Sequence, residues 1–256
     1  MIRPVLGSPP ATRLLVSVVS ADEVEPALQG GADVVDVKNP AEGSLGAPVP
    51  SLLRSVRSRV VPPALVSAAL GDAPHLPGTL ALAAAGAAAC GADYVKVGLL
   101  GSSRPEEARK LLAAVCRAAL ETSPRVRVVG VAYADAPRVG GLPPASLPAV
   151  AREAGAHGVM LDTGVKDGTS TFAALGVAGV TAFLAEARAL GLMTALAGAL
   201  GEDDLMHASG MGADLVGVRG SACDGGRGGR VSAVRVRALR EALGLSAPAF
   251  RAFARP

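Results

Sequence analysis

The sequence predicts a (β/α)8 barrel, an α/β fold, and three observations carry that expectation. The chain has 256 residues, the length at which eight β-α units close into one barrel of about 250 residues. One phrase recurs four times, as GADVVDVK, GADYVKVG, GAHGVMLD and GADLVGVR, with its alanine at Ala32, Ala92, Ala156 and Ala213, spaced by 60, 64 and 57 residues. Each interval is too long for one β-α pair and right for two. The candidate strands are also near-continuous aliphatic runs, as strands covered on both faces must be. An open doubly wound sheet is the alternative arrangement of the same elements.

The elements follow in order. RLLVSVV (13–19) is the first strand and GADVVDVK the second, after which SLLRSVRSRV (51–60) has helical length and pattern. ALVSAAL (64–70) is the third strand. TLALAAAGAAACGA (79–92) is uncharged, Ala-rich and Gly-interrupted, which suits a buried helix better than a membrane span of about 20 strongly apolar residues. GADYVKVG supplies the fourth strand, RPEEARKLLAAVCRAALE (104–121) the next helix, and RVRVVGVAY (125–133) the fifth strand. GAHGVMLD, LMTALAG (192–198) and GADLVGVR complete the set of eight. The barrel domain is placed at residues 14–243. Residues 1–13 read as an N-terminal extension lacking the apolar core of a signal peptide, and residues 244–256 as a C-terminal tail.

Composition excludes several classes. Half of the residues are hydrophobic, ample material for a core. A net charge of +3, with two Tyr, four Phe and no Trp, leaves neither a basic field nor stacking platforms, so no nucleic acid is expected as a partner. No membrane partner is expected either. Cys90, Cys116 and Cys223 form no CxxC or His-associated cluster, so a disulfide framework and a zinc site are both unsupported. A reducing, cytoplasmic setting is expected, with a small-molecule substrate and neither metal nor cofactor; assembly into a homo-oligomer is left open.

Aligning the repeats on their alanines sorts the strand residues into two faces, because side chains alternate with a period of two. Offsets three and five hold Val35, Val37, Val95, Val97, Val159, Leu161, Val216 and Val218, an aliphatic face for the helices. Offsets four and six hold Asp36, Lys38, Lys96, Gly98, Met160, Asp162, Gly217 and Arg219, which point into the barrel. Charge there is costly unless it is paired or used, and the ends of barrel strands are where such enzymes place their chemistry. Lys38, Lys96, Lys110 and Lys166 are the only lysines among 25 basic residues, and three of the four close a short apolar run. Lysine offers what arginine cannot, a neutral amine that condenses with a carbonyl to an electron-withdrawing iminium. A second cation nearby, with desolvation, lowers the amine pKa toward neutrality. Asp36 and Asp162 then hold the charged partner or move protons.

The stretch LLVSVVSADEVEPALQGGADVVDVKNPAEGSLGAP resembles the opening of the (5-formylfuran-3-yl)methyl phosphate synthase family. The likeness continues through LVSAALGD, GADYVKVGL, GVAYADAPRVGG, MLDTGVKDG, ALAGAL and GVRGSAC. The family fold is the (β/α)8 TIM barrel. The resemblance implies that two molecules of glyceraldehyde 3-phosphate condense to a furan aldehyde phosphate, a methanofuran precursor, with loss of one phosphate and two waters. It also implies that Lys38 forms the Schiff base, that Lys96 takes and gives protons, and that Asp36, Asp162 and Lys166 belong to the catalytic set. Two other functions fit the residues: a Schiff-base (class I) aldolase acting on another sugar phosphate, and a non-catalytic barrel that binds phosphorylated metabolites.

A triose phosphate needs an anion site, and barrels often build one from the loops after strands seven and eight. Those loops point to Gly198, Gly220 and Ser221, with Arg219 as charge partner. Lys166 and Arg138 are the candidates for a second phosphate. Tyr133, Asp135 and Arg138, after strand five, are expected to position substrate; Asp72 and His75 are open between function and loop structure. Cys223 reads as a packed small residue and GGRGGR as a flexible loop.

Overall fold

The computed structural model describes residues 12–245; the N-terminal extension and C-terminal tail lie almost entirely outside them. Eight parallel strands close into one barrel: β1 (Arg13–Val18), β2 (Val34–Val37), β3 (Leu65–Ala69), β4 (Tyr94–Gly98), β5 (Arg127–Tyr133), β6 (Gly158–Asp162), β7 (Met193–Leu196) and β8 (Leu215–Val218). Closure is direct, since β1 pairs with β8 from Arg13 opposite Leu215 to Val16 opposite Val218. That pairing removes the open-sheet alternative.

Each strand is followed by a principal helix: α1 (Val24–Gly30), α2 (Pro50–Arg57), α3 (Pro77–Ala89), α4 (Pro105–Thr122), α5 (Leu147–Glu153), α6 (Thr171–Ala189), α7 (Glu202–Gly210) and α8 (Ala233–Ala242). A single helical turn, Ala136–Val139, precedes α5. Helix α6 has the length and composition of a membrane span. It is instead a barrel helix, interrupted at Gly176 and burying Phe172, Val180, Phe183, Leu184 and Ala187 in the core.

The repeated phrase is a junction between helix and strand. Its glycine, at Gly31, Gly91, Gly155 or Gly212, takes a positive φ between 72° and 98°, a conformation that costs a β-carbon dearly and ends a helix. The alanine that follows donates its N–H back five residues, as Ala32 does to Ala27 at 3.0 Å and Ala156 to Ala151 at 2.9 Å. The third residue then clips the new strand to its predecessor. Asp33 accepts from the Leu14 N–H, Asp93 from Val66 and Asp214 from Thr194, each at 2.8 Å, and His157 Nδ1 accepts from Val128 at 3.2 Å.

The strand faces separate as their alternation requires. Val35, Val37, Val95, Val97, Val159, Leu161, Val216 and Val218 all lie in the cluster between strands and helices. A second, inner cluster fills the barrel with Leu15, Val34, Tyr94, Val131, Met160 and Leu215, among others. Leu45 joins it from the β2-α2 loop, which closes on itself through Asn39 N–H to Gly46 O at 2.8 Å. A β-carbon at position 46 would lie 2.0 Å from the Asn39 oxygen, so the turn admits only glycine. Ser44 Oγ donates across the mouth to Thr163 O at 3.0 Å.

Candidate active site

A cavity of about 450 Å3 opens at the C-terminal ends of the strands, with Ser17, Lys38, Lys96, Asp162, Lys166 and Arg227 among its walls. Asp36 lies beneath it, fully buried. Its Oδ2 accepts from Lys96 Nζ at 2.7 Å and from Ser17 Oγ at 3.0 Å, so Asp36 meets the cavity through Lys96. Its Oδ1 has no partner among the described residues, and neither has Ser67 Oγ on the adjoining position of β3. An orphaned oxygen on a buried carboxylate is costly, and it leaves Asp36 with unused acceptor capacity.

Lys38 closes β2 one step nearer the mouth on the same face. Among the described residues its ammonium has neither an ion pair nor a hydrogen bond. Burial is the main influence on it, and the Lys96 and Arg227 charges act in the same direction. Asp162 and Asp36 oppose them, and the balance brings its pKa down to about 7. Across the cavity Asp162 ends β6, its Oδ1 accepting from Lys166 Nζ at 2.7 Å and from the Thr163 N–H at 2.7 Å. Burial alone would raise this carboxyl, but Lys166, Lys38 and the Thr163 N–H together hold it below the ordinary range. The site therefore offers one amine that can be neutral near pH 7 and two carboxylate-ammonium pairs on either side of it, the requirements for imine formation with proton transfer.

The loops after β7 and β8 reach the cavity with Gly198, Gly220 and Ser221. Gly198 has φ of 96°, and an added β-carbon would lie 2.5 Å from Thr171 Oγ1 and 2.8 Å from the Thr163 nitrogen. Ala199, next to it, also has a positive φ, of 50°, an uncommon state for a residue with a side chain. Strain of this kind collects at ligand-binding loops.

Four of the candidate residues have polar partners within the fold. Arg219 borders the cavity but its guanidinium is spent inward, on Glu23 at 2.6 and 3.1 Å, Ser17 O at 3.0 Å and Gly229 O at 2.8 Å. It is a clamp and not a free charge partner for phosphate. Asp135 accepts from the Gly164 and Val165 N–H groups at 2.7 and 2.9 Å, holding the β6-α6 loop from outside the cavity. Arg138 pairs with Asp167 at 2.9 Å on the surface, with half of its side chain exposed. Tyr133 is fully buried, and its hydroxyl donates to Asp72 at 2.7 Å. None of these three residues lines the cavity.

The GGRGGR segment is not a loose loop. It is held between two-residue strands, Cys223–Asp224 and Arg230–Val231, and Arg219 grips its carbonyls. Cys223 is packed as expected, with its thiol pushed up by burial. The hairpin brings Arg227 to the cavity, a residue that sequence reasoning missed because a glycine-rich run carries no signal of folding back. Asp72 carries a raised pKa, chiefly from burial, and it fits beside Tyr133 because position 98 is glycine: a β-carbon there would lie 1.8 Å from Asp72 Oδ1.

Known proteins resemble this chain in family and in fold. The 4-HFC-P synthase family matches residues 14–240. The (5-formylfuran-3-yl)methyl phosphate synthase of Methanothermobacter thermautotrophicus is 47% identical over 232 residues, 90% of this chain and 98% of its own. The protein of the same name from Methanopyrus kandleri is 48% identical over 233 residues, again 90% and 98% of the two chains. Among solved structures, a deoxyribose phosphate aldolase from Aeropyrum pernix superposes with a TM-score of 0.61 at 19% identity, covering 93% of this chain and 94% of that one. At that identity the likeness concerns the barrel alone.

Proposed function

The chain belongs to the 4-HFC-P synthase family, and from that premise we propose that it makes (5-formylfuran-3-yl)methyl phosphate from two molecules of glyceraldehyde 3-phosphate through a Schiff base on Lys38. One observation carries the reading: the Lys38 amine, unpaired among the described residues and with its pKa brought down to about 7, faces the cavity, while Lys96 and Lys166 are each committed to a carboxylate.

Lys38 attacks the carbonyl of the first triose, and loss of water gives the iminium. Its pull on electrons makes the neighbouring carbon acidic, and Lys96, once it has passed its own proton to the Asp36 carboxylate it is hydrogen-bonded to, receives that proton as a neutral amine and returns it later. The resulting enamine carbon attacks the aldehyde of the second triose. Asp162 and Lys166, on the opposite wall, serve the proton transfers that accompany dehydration. Two C3 phosphates become one C6 furan phosphate, one inorganic phosphate and two waters, so atoms balance without an oxidant. Backbone around Gly198, Gly220 and Ser221 receives a phosphate. Triose phosphate chemistry, together with unpaired cysteines, fits a cytoplasmic setting.

The test is product identity. With glyceraldehyde 3-phosphate alone, a furan aldehyde chromophore should appear with one inorganic phosphate released for every two trioses consumed. A six-carbon aldol adduct that retains both phosphates would replace this reading with that of an ordinary aldolase.

A further inference from the structure

Two arginines flank the loop after β8, and the structure gives them opposite duties. Arg219 is 6% exposed, and its five donors are engaged with Glu23 and with the carbonyls of Ser17, Arg227 and Gly229. Two of those carbonyls belong to the hairpin. The clamp therefore fixes the segment that bears Arg227, and Glu23 fixes it a second time by accepting the Val231 N–H at 3.3 Å.

Arg227 itself is half-buried, yet among the described residues no group accepts from its guanidinium. Desolvation of an unpaired guanidinium costs free energy that a folded chain recovers only when a ligand uses the charge. Its surroundings select the sign of that ligand. The backbone of Arg227 abuts Gly220, where a β-carbon would lie 3.5 Å from the Arg227 nitrogen. Gly198, Ala199, Leu200, Gly220 and Ser221 share the cavity wall with it. Among the described residues the N–H groups of Ala199, Leu200, Gly220 and Ser221 have no acceptor, and Gly198 and Ala199 both take positive φ values in that wall. A planar fork beside free N–H groups suits phosphate in particular.

We infer that Arg227 is the cation that makes the enzyme selective for a phosphorylated triose, gripping the phosphate against the loops after β7 and β8. This rests on the triose reading above and adds to it the residue that discriminates glyceraldehyde 3-phosphate from glyceraldehyde.

The experiment uses the full chain, Arg227→Ala and Arg227→Lys, with inorganic phosphate as the first probe. Calorimetric phosphate affinity should fall about 10- to 100-fold in Arg227→Ala, with partial recovery in Arg227→Lys or on adding guanidinium ion. Borohydride trapping, performed at a pH where Lys38 is neutral, then gives the half-saturating concentrations of glyceraldehyde 3-phosphate and of glyceraldehyde. Their ratio should collapse by at least about 10-fold in Arg227→Ala, a selectivity change that a merely structural role would not produce. Unchanged phosphate affinity, or an unchanged ratio, overturns the inference. A parent chain that traps neither triose sinks the Schiff-base reading, and the phosphate comparison still decides the role of Arg227.

Discussion

Lys96 Nζ lies 2.7 Å from Asp36 Oδ2, and Lys38, two residues beyond Asp36 on the same strand face, has no such partner among the described residues. This asymmetry sets two residues of identical chemistry apart. A buried carboxylate keeps its cation, because separating them leaves an uncompensated charge. The lysine without one is the lysine whose charge burial can remove.

Lys38→Arg should keep the cation and lose the chemistry, since a guanidinium supplies no neutral amine near pH 7. Borohydride with glyceraldehyde 3-phosphate should leave no adduct on the variant, read by intact mass, while its circular dichroism matches the parent. An adduct of unchanged yield would move the imine to Lys96 or Lys166.

Imine trapping on the parent should rise as pH rises through about 7, because the neutral fraction of Lys38 grows there; an ordinary lysine would need about pH 10. Asp162 is the largest influence holding that pKa up. Asp162→Asn removes it and frees the Lys166 cation as well, so both changes favour the neutral amine. The trapping midpoint should move to lower pH, and a movement to higher pH would contradict the charge layout of the cavity.

The barrel was legible because two periods are written in the chain: roughly sixty residues between repeats and two residues along each strand. The interior lysines were legible by residue type, since a cation on an inward face is expensive and therefore informative. What the repeat does was hidden. Asp33, Asp93, His157 and Asp214 look like turn residues, and their acceptors' purpose appears only when the partner N–H groups of the preceding strand are in place. The partners of Arg219 were hidden for a related reason. It stands on the inward face beside the phosphate loops, but the residue that claims it, Glu23, is 196 positions away, and no local pattern links them.

Glu23→Ala should test the clamp. It leaves Arg219 buried with its main anion gone and deprives the Val19 and Val231 N–H groups of an acceptor. Removing one partner of such a pair costs about 3–5 kcal/mol, which in a chain of this size lowers the melting temperature by on the order of 10 °C. Calorimetric unfolding measures it directly. A melting temperature equal to the parent's would show that the hairpin is held by other means.

Lys96→Met tests whether the paired lysine moves protons or only neutralises Asp36, and the two roles separate in one variant. Loss of a proton carrier should slow furan formation by about 10² to 10⁴-fold. Imine formation at Lys38 should survive with its midpoint displaced to higher pH, for two reasons that agree in sign. The Lys96 charge acts to lower the Lys38 pKa and vanishes with the side chain, while Asp36, which acts to raise it, loses the ammonium that offsets it. The observation needed is the pH profile of borohydride-trapped enzyme at saturating glyceraldehyde 3-phosphate, set beside the rate of furan appearance. Normal turnover, or a profile displaced to lower pH, would reduce Lys96 to a counter-ion and leave proton transfer to Asp162 and Lys166 across the cavity.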